Sequence, residues 1–144
     1  MQPTVKFIKL LDNAVTPQYM TPGSAGADLY SACDTVIPPQ DVKLVHTGLS
    51  VEIPEGYEAQ VRPRSGMALR YYGYDVANSP GTIDSDYRGE VCVLIRNIND
   101  EPLIISEGDR IAQLVVSPVT MALFKEEELT ATERGAGGFG STGR

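Results

Sequence analysis

The chain has 144 residues, of which 42% are hydrophobic and 22% charged, and its formal net charge is −7 at pH 7. This length is typical of a single domain. An acidic chain is unsuited to sequence-independent binding of nucleic acid, which needs clustered lysines and arginines. No apolar run is long enough to span a bilayer and no signal-peptide pattern opens the chain, so we predict no nucleic-acid or membrane partner and a cytoplasmic location.

The first three-quarters of the chain show the patterns of β-strands. Apolar and polar side chains alternate in residues 49–53 and 57–62, which predicts strands with one buried face. Residues 91–95 and 111–116 are mostly apolar and rich in β-branched side chains, which predicts strands buried on both faces. Turns rich in proline, glycine and asparagine separate these segments. The sequence therefore predicts an all-β sandwich, barrel or jelly roll, with one short helix within residues 65–72.

The composition changes at Arg134, where the chain continues as Arg-Gly-Ala-Gly-Gly-Phe-Gly-Ser-Thr-Gly-Arg. With Phe139 as its only large apolar side chain, this segment cannot pack by itself. We therefore predict a folded domain over residues 1–133 and a flexible arm over residues 134–144. The glycines match neither a dinucleotide-binding unit nor a P-loop, because no helix and no lysine follow them. Their N–H groups can still bind phosphate, together with the neighbouring hydroxyl and guanidinium groups.

Two internal segments carry groups that can bind a charged ligand. Residues 62–66, Arg-Pro-Arg-Ser-Gly, place two guanidinium groups beside a predicted helix start, which favours a phosphate. They equally fit a solvated loop in which Ser65 caps the helix. Residues 78–89 resemble the start of a calcium-binding loop, but Arg88 and Ile95 stand where that loop needs oxygen ligands. An EF-hand is therefore excluded, and the segment is predicted to be a polar β-hairpin.

The remaining polar residues have structural interpretations when each is taken alone. Asp28 is typical of a turn, and Asp109-Arg110 is typical of a weak ion pair within a loop. His46 falls within a strand pattern, and we assign it no catalytic role. Cys33 and Cys92 are predicted to be buried thiols. One histidine and two cysteines complete a four-ligand zinc site only if carboxylates join them, and no spacing in the sequence marks such carboxylates.

Taken together and in order, five segments resemble the five motifs of the trimeric dUTPase family. They are Ala25-Gly26-Ala27-Asp28-Leu29, Pro63-Arg64-Ser65-Gly66, Gly81-Thr82-Ile83-Asp84-Ser85-Asp86-Tyr87, Gly108-Asp109-Arg110-Ile111-Ala112-Gln113 and Arg134-Gly135-Ala136-Gly137-Gly138-Phe139-Gly140-Ser141-Thr142. The resemblance extends from about Val5 to the last residue. Five concurrent matches are far more specific than one.

The resemblance implies a β jelly roll assembled as a homotrimer with exchanged C-terminal arms. Its activity would be hydrolysis of dUTP to dUMP and pyrophosphate, with Mg²⁺, by attack of water on the α-phosphorus. Such an enzyme limits uracil in DNA and supplies dUMP for thymidylate synthesis. If the gene is viral, the expected location is the interior of the host cell.

The resemblance also assigns roles to individual residues. Asp84 would orient the attacking water and accept its proton, and Asp28 would contact the water shell of Mg²⁺. Tyr87 would pack under the deoxyribose and exclude a 2′-hydroxyl, while backbone groups of the hairpin read uracil. The phosphate chain would be held by Arg64, Ser65, Gly66 and Gln113. The predicted substrate contacts of the hairpin and the arm are Asn78, Gly81, Thr82, Ile83, Asp84, Tyr87, Cys92, Arg134, Phe139, Gly140, Ser141 and Thr142.

Two other functions remain open at this point. A dCTP deaminase shares the fold, although the hairpin at residues 84–87 favours uracil, and ammonia release would identify it. A regulatory or virion protein of this fold would bind nucleotide without turnover. A pure binder has no chemical reason to keep the full set Asp28, Arg64, Asp84, Gln113 and Phe139.

Overall fold

A computed structural model describes residues 2–141 and 143 of the chain. The described part contains ten β-strands and one short helix. In chain order they are β1 Lys6–Lys9, β2 Ala27–Tyr30, β3 Thr35–Ile37, β4 Asp41–Glu52, β5 Tyr57–Arg62, α1 Ser65–Arg70, β6 Tyr74–Val76, β7 Gly81–Ile83, β8 Glu90–Asn97, β9 Leu103–Ile105 and β10 Arg110–Pro118.

The strands form two four-stranded sheets and one strand pair, with antiparallel pairing throughout. The first sheet has the order β1-β4-β8-β6, the second has the order β2-β10-β5-β7, and β3 pairs with β9. Both four-stranded sheets contribute fully buried side chains to one hydrophobic core, such as Val45 and Val93 from the first and Ala59 and Ile111 from the second. The prediction of an all-β, jelly-roll-like fold is confirmed.

The long strand β4 follows its predicted alternation with one exception. Leu49 and Val51 face the core, as expected, but Ser50 is also buried although it was predicted to face solvent. Its hydroxyl donates a hydrogen bond of 2.7 Å to the Arg88 carbonyl. The pairing of β4 with β8 is irregular between His46 and Ser50, which alters the local exposure of the strand.

Strand β8 departs from the prediction that both of its faces are buried. Val91, Val93 and Ile95 are buried, whereas Cys92 and Leu94 are only half-buried. The two half-buried side chains face away from the core that the two sheets share, and they line an open pocket. The apolar run at residues 91–95 therefore includes two side chains, Cys92 and Leu94, that remain partly exposed in the single chain.

Beyond Pro118, the described residues are mostly exposed. Within the described residues 119–141 there is no helix or strand. Met121, Leu123, Phe124 and Leu129 are each more than 90% exposed. Exposed apolar patches of this kind are typical of surfaces that bind another molecule. In the described part of the chain, no helix is long and apolar enough to cross a membrane.

Candidate active site

Three adjacent strands of the second sheet bring the first group of predicted site residues together. Gln113, on the central strand β10, pairs with Asp28 on β2 and with Arg62 on β5. Helix α1 begins shortly after β5, so its first residues lie beside the same pair. Together they line one pocket of about 280 Å³, which contains the predicted residues Asp28, Arg64, Ser65, Gly66 and Gln113.

The buried carboxylate of Asp28 is held by two guanidinium groups. Asp28 is only 5% exposed. Its Oδ1 lies 2.8 Å from Nε of Arg64, and its Oδ2 lies 3.4 Å from Nη1 of Arg110. Burying a carboxylate is costly unless its charge and lone pairs are satisfied, and these two contacts supply that compensation. Asp28 is therefore not a simple turn residue but the fixed anionic centre of this pocket.

Arg110 contacts Asp28 without lining this pocket, and no pattern in the sequence indicated that contact. It was expected to pair with Asp109, but the Asp109 carboxylate accepts a hydrogen bond from the Ser106 N–H at 2.8 Å instead. A bulge in β10 between Arg110 and Ala112 shifts the pairing, so that Arg110 lies opposite Tyr30 and shares a face with Asp28. Nothing in the sequence marks this bulge.

Arg64 is positioned by the start of α1. It is the N-cap residue of the helix, and neither its own side chain nor Ser65 caps the helix by a side-chain hydrogen bond, so the capping interpretation of Ser65 is wrong. The guanidinium also donates to the Arg110 carbonyl through Nη1 at 3.2 Å. Among the described residues, its side-chain hydrogen bonds use Nε and Nη1. Nη2 therefore remains for an anionic ligand in the pocket.

Gln113 is fixed by its own hydrogen bond and by a close approach of the backbone. Its Nε2 donates to the Pro63 carbonyl at 2.9 Å. A Cβ atom at Gly26 would lie 2.3 Å from Oε1 of Gln113, so any residue other than glycine would displace the Gln113 amide from this position. Gly26, in the segment 25–29, therefore helps to position Gln113, in the segment 108–113. Because glycine has no side chain, it leaves the space that the Gln113 amide occupies.

Replacing Arg64 with alanine is expected to lower the free energy of unfolding by about 2 kcal/mol, since it removes a charged hydrogen-bond donor from a buried carboxylate. Denaturant unfolding at fixed protein concentration measures the change. Arg62→Ala is the matched control, because Arg62 is exposed and its guanidinium bonds only Gln60 among the described residues. Equal stability of the two variants would contradict the stabilising role of the Asp28–Arg64 pair.

A second pocket, of about 200 Å³, lies between β7, β8 and the turn that precedes β7. It is lined in part by seven residues predicted from the resemblance, namely Asn78, Gly81, Thr82, Ile83, Asp84, Tyr87 and Cys92. Asp84 follows β7 directly and its side chain is exposed, so water can reach the carboxylate. The predicted β-hairpin is wrong for the described structure, because β7 pairs with β5 in the second sheet while β8 pairs with β4 and β6 in the first. The segment instead crosses between the two sheets and forms one wall of the pocket.

Tyr87 is held in this pocket by its hydroxyl group. The hydroxyl donates a hydrogen bond of 2.9 Å to the Glu90 carbonyl. A Cβ atom at Gly89 would lie 2.4 Å from the same hydroxyl oxygen, so glycine is needed for the ring to lie where it does. The aromatic ring is therefore a fixed part of the pocket wall.

Glu90 also lines the second pocket, and no motif of the sequence indicated it. Its Oε2 lies 2.8 Å from Nδ1 of His46, and its Oε1 accepts the N–H of Gly48 at 2.9 Å. Burial alone would raise the pKa of Glu90, but these hydrogen bonds outweigh burial and hold the pKa below its ordinary value. Burial, followed by the negative charge of Glu90, raises the pKa of Cys92 to about 11. The Cys92 thiol is therefore neutral at physiological pH.

The described cysteines are free and partly buried, where fully buried thiols were predicted. Cys92 is open on the side of the pocket, and Cys33 lies at the start of the turn before β3. Partial exposure leaves both sulfur atoms available to solvent reagents.

The third group of predicted residues lies in the exposed C-terminal segment. Nε of Arg134 donates to the Gly137 carbonyl at 2.8 Å, and the N–H of Ser141 donates to the Gly138 carbonyl at 3.0 Å. Phe139 is fully exposed, and Gly140 follows it in a left-handed conformation. Thr142 lies outside the described residues. In the described part of the single chain, these residues line neither of the two pockets.

The sequence is similar to known proteins over most of its length. The family model described as dUTPase matches residues 12–143. A deoxyuridine 5′-triphosphate nucleotidohydrolase of Nautilia profundicola is 52% identical over 141 residues, covering 97% of this chain and 99% of the relative. The enzyme of the same name from Chlamydia pneumoniae is 53% identical over 141 residues, covering 95% and 97%.

Solved structures give the same result. A mutant dUTPase of Staphylococcus bacteriophage 80alpha, in complex with dUpNHpp, has a TM-score of 0.86 and 29% identity, covering 98% of this chain and 99% of that chain. A mutant dUTPase from phage phi11 of S. aureus, described as coordinating a structural Mg(II) ion, has a TM-score of 0.79 and 28% identity, covering 88% and 97%. The fold, the family match and these relatives agree, and the chain belongs to the dUTPase family, the enzymes that hydrolyse dUTP to dUMP.

Proposed function

We propose that the chain hydrolyses dUTP at an active site in which the two pockets belong to different subunits of a homotrimer. The single observation that carries this proposal is the separation of the predicted residues within one chain. Asp84 lines one pocket, while Asp28, Arg64 and Gln113 line the other. A reaction at one phosphorus atom needs both sets within reach of the same nucleotide.

The register of the second sheet gives the size of this separation. Ile83, at the end of β7, pairs with Ala59 on β5, so Asp84 lies near the level of Glu58. Arg64 lies six residues further along the chain from Glu58, which corresponds to about 20 Å at the rise of a β-strand. That span exceeds the reach of the two side chains. Apposition of two chains, each offering the pocket that the other lacks, provides one complete site.

Exposed apolar surface supports an assembly of this kind. Leu44 is 53% exposed beside the half-buried Leu94 on the outer face of the first sheet. Leu123 and Phe124 are more than 90% exposed in the segment after β10. Subunit contacts would bury both surfaces, with the C-terminal arms exchanged between chains.

The pocket beside β7 would bind the deoxyuridine part of the substrate. Backbone groups of the segment from Asn78 to Cys92 would pair with O4, N3–H and O2 of uracil, a pattern that cytosine cannot match. Thymine would be excluded sterically, because the pocket would leave no space for its 5-methyl group. Tyr87, fixed by its bond to the Glu90 carbonyl, would pack under the deoxyribose and exclude a 2′-hydroxyl.

The pocket beside α1 would bind the phosphate chain. Nη2 of Arg64, the amide of Gln113 and the N-terminal groups of α1 at Ser65 and Gly66 are the donors it offers. Donors fixed before the reaction stabilise the charge that develops on the leaving pyrophosphate. The fixed geometry of Arg64 and Gln113, held by Asp28 and Gly26, supports this role.

The oxygen groups of the phosphate pocket fit a Mg²⁺ ion that keeps most of its bound water molecules. Asp28 is the only carboxylate that lines the phosphate pocket within the described residues. Its oxygens already accept bonds from Arg64 and Arg110, so a contact through water fits better than direct coordination. When bound, Mg²⁺ neutralises charge on the phosphate oxygens. Asp28 would orient the water shell of the ion and hold Arg64 in place.

In the reaction, Asp84 would position a water molecule in line with the α-phosphorus and accept its proton. The bond from the α-phosphorus to the bridging oxygen breaks, and pyrophosphate leaves on the donors of the other pocket. The arm over residues 134–144 would close the site, with Phe139 over the base and Arg134, Gly140, Ser141 and Thr142 on the phosphates. A segment that cannot fold alone can become ordered over a bound nucleotide.

A substrate panel tests this proposal directly. The full chain is incubated with dUTP, UTP, dCTP and dTTP in magnesium, and pyrophosphate and ammonia are both measured. We expect pyrophosphate from dUTP alone and no ammonia from dCTP, with loss of turnover in a chelator. Ammonia release would instead indicate a deaminase, and binding of dUTP without pyrophosphate would indicate a non-catalytic nucleotide binder. Light scattering on the same sample reports the number of subunits.

A further inference from the structure

We propose that His46, Glu90 and Cys92 form a binding site for Zn²⁺ at the edge of the pocket beside β7. The three side chains come from β4 and β8, and their potential ligand atoms all lie within 4.8 Å of one another. This cluster is separate from Asp28, which lies in the other pocket. The proposal concerns metal binding, and it does not depend on the assembly proposed above.

The register of the sheet explains why three ligands meet here. His46 and Cys92 are direct partners in the antiparallel pairing of β4 with β8. Glu90 precedes Cys92 by two residues, so both side chains leave β8 on the same face. The cross-strand pair His46–Cys92 and the neighbouring Glu90 therefore place three potential ligands close together on one face of the sheet. Forty-four residues separate His46 from Glu90, which is why no spacing in the sequence revealed the cluster.

The distances suit a tetrahedral zinc ion. Sγ of Cys92 lies 3.6 Å from Nδ1 of His46. Sulfur and nitrogen ligands at their usual distances from zinc, in tetrahedral geometry, lie about 3.5 Å apart. Oε2 of Glu90 lies 2.8 Å from the same Nδ1, which is a hydrogen-bond distance. Binding requires that this pair open by about half an ångström and that the metal displace two protons to solvent, the one in the His46–Glu90 hydrogen bond and that of the Cys92 thiol.

The ligand types select zinc over the harder cations. A thiolate and an imidazole favour Zn²⁺, whereas Mg²⁺ and Ca²⁺ prefer oxygen ligands. The Gly48 N–H donates a hydrogen bond to the Glu90 carboxylate and so orients it. Hydrogen bonds of this kind commonly fix the side chains that bind a metal. Three protein ligands leave the fourth position of zinc to water.

In the single chain, the site is also accessible from solvent. The side chains of His46 and Glu90 are 48% and 23% exposed, and Cys92 is partly buried. Glu90 and Cys92 line the same pocket as Asp84 and Tyr87. An ion entering the pocket therefore reaches its ligands without a rearrangement of the sheet.

Titration of the full-length, tag-free chain with zinc chloride tests the proposal. The chain is first freed of metal with a chelator, and calorimetry is performed in excess magnesium. We expect one Zn²⁺ per chain, and Co²⁺ in its place should give the near-ultraviolet charge-transfer absorption of a cobalt–thiolate bond. Absence of zinc binding, or Co²⁺ binding without that absorption, would overturn the proposal.

Variants assign the binding to these side chains. His46→Gln and Cys92→Ser should each weaken Zn²⁺ binding at least about a hundredfold, as expected for loss of a direct ligand. Cys33→Ser is the matched thiol control, because Cys33 lies outside the cluster, and it should bind zinc as the wild type does. His46→Gln should also keep normal dUTP turnover in magnesium, which shows that it is folded. Zinc binding that survives in both His46→Gln and Cys92→Ser would place the ion elsewhere.

Discussion

Replacing Asp84 with asparagine is expected to reduce dUTP turnover by about two orders of magnitude or more, while dUTP binding stays nearly intact. The amide keeps the size of the carboxylate and one acceptor oxygen, but it cannot accept the proton of the attacking water. Because Asp84 is exposed at the end of β7, the substitution should not disturb the sheet. Steady-state kinetics and equilibrium binding of a non-hydrolysable dUTP analogue measure the two effects separately.

Asp86→Asn is the matched control for this experiment. Asp86 lies two residues further along the same loop but does not line the pocket in the described structure. The control changes the same charge in the same loop, so it removes any general electrostatic effect on an anionic substrate. Near-normal turnover in Asp84→Asn would remove Asp84 from the mechanism, and an equal loss in both variants would point to the charge of the loop instead.

Deleting the chain from Arg134 onward is expected to lower turnover by about a hundredfold, since it removes the donors proposed to bind the phosphates together with the ring of Phe139. The described residues of this arm make hydrogen bonds only among themselves and with Thr132, so the fold should not depend on them. Kinetics of the truncated chain, with thermal unfolding and light scattering, test both parts of the expectation.

A shorter deletion provides the comparison. Removing residues 143–144 alone leaves all predicted contacts of the arm in place, and its kinetics should match those of the full chain. If the deletion from Arg134 also left the kinetics unchanged, the arm would have no part in the reaction. Loss of the assembly on that deletion would mean that the arm acts on the trimer and not on the nucleotide.

The features that the sequence predicted are those that depend on local pattern. Alternation predicted the core-facing side chains of β4 and β5. Turn residues predicted where the chain turns within residues 78–89, but the hairpin pairing expected there is not formed, because β7 and β8 lie in different sheets. The contacts that the sequence did not predict depend on pairing between strands that are far apart along the chain. A bulge places Arg110 beside Asp28, and the register of β4 with β8 places Glu90 beside His46. Neither register is set by residues adjacent to these side chains, so the sequence offered no signal for either contact.

The distance along β5 that divides the two pockets has a consequence for mixtures of defective chains. One variant lacks the Asp84 carboxylate but keeps an intact phosphate pocket. The other lacks the Arg64 guanidinium but keeps an intact pocket beside β7. If the two are unfolded together and renatured at equal amounts, statistical mixing in a cyclic trimer should restore about a quarter of the wild-type activity. Either protein renatured alone would stay inactive, and so would a mixture of separately folded trimers that do not exchange subunits.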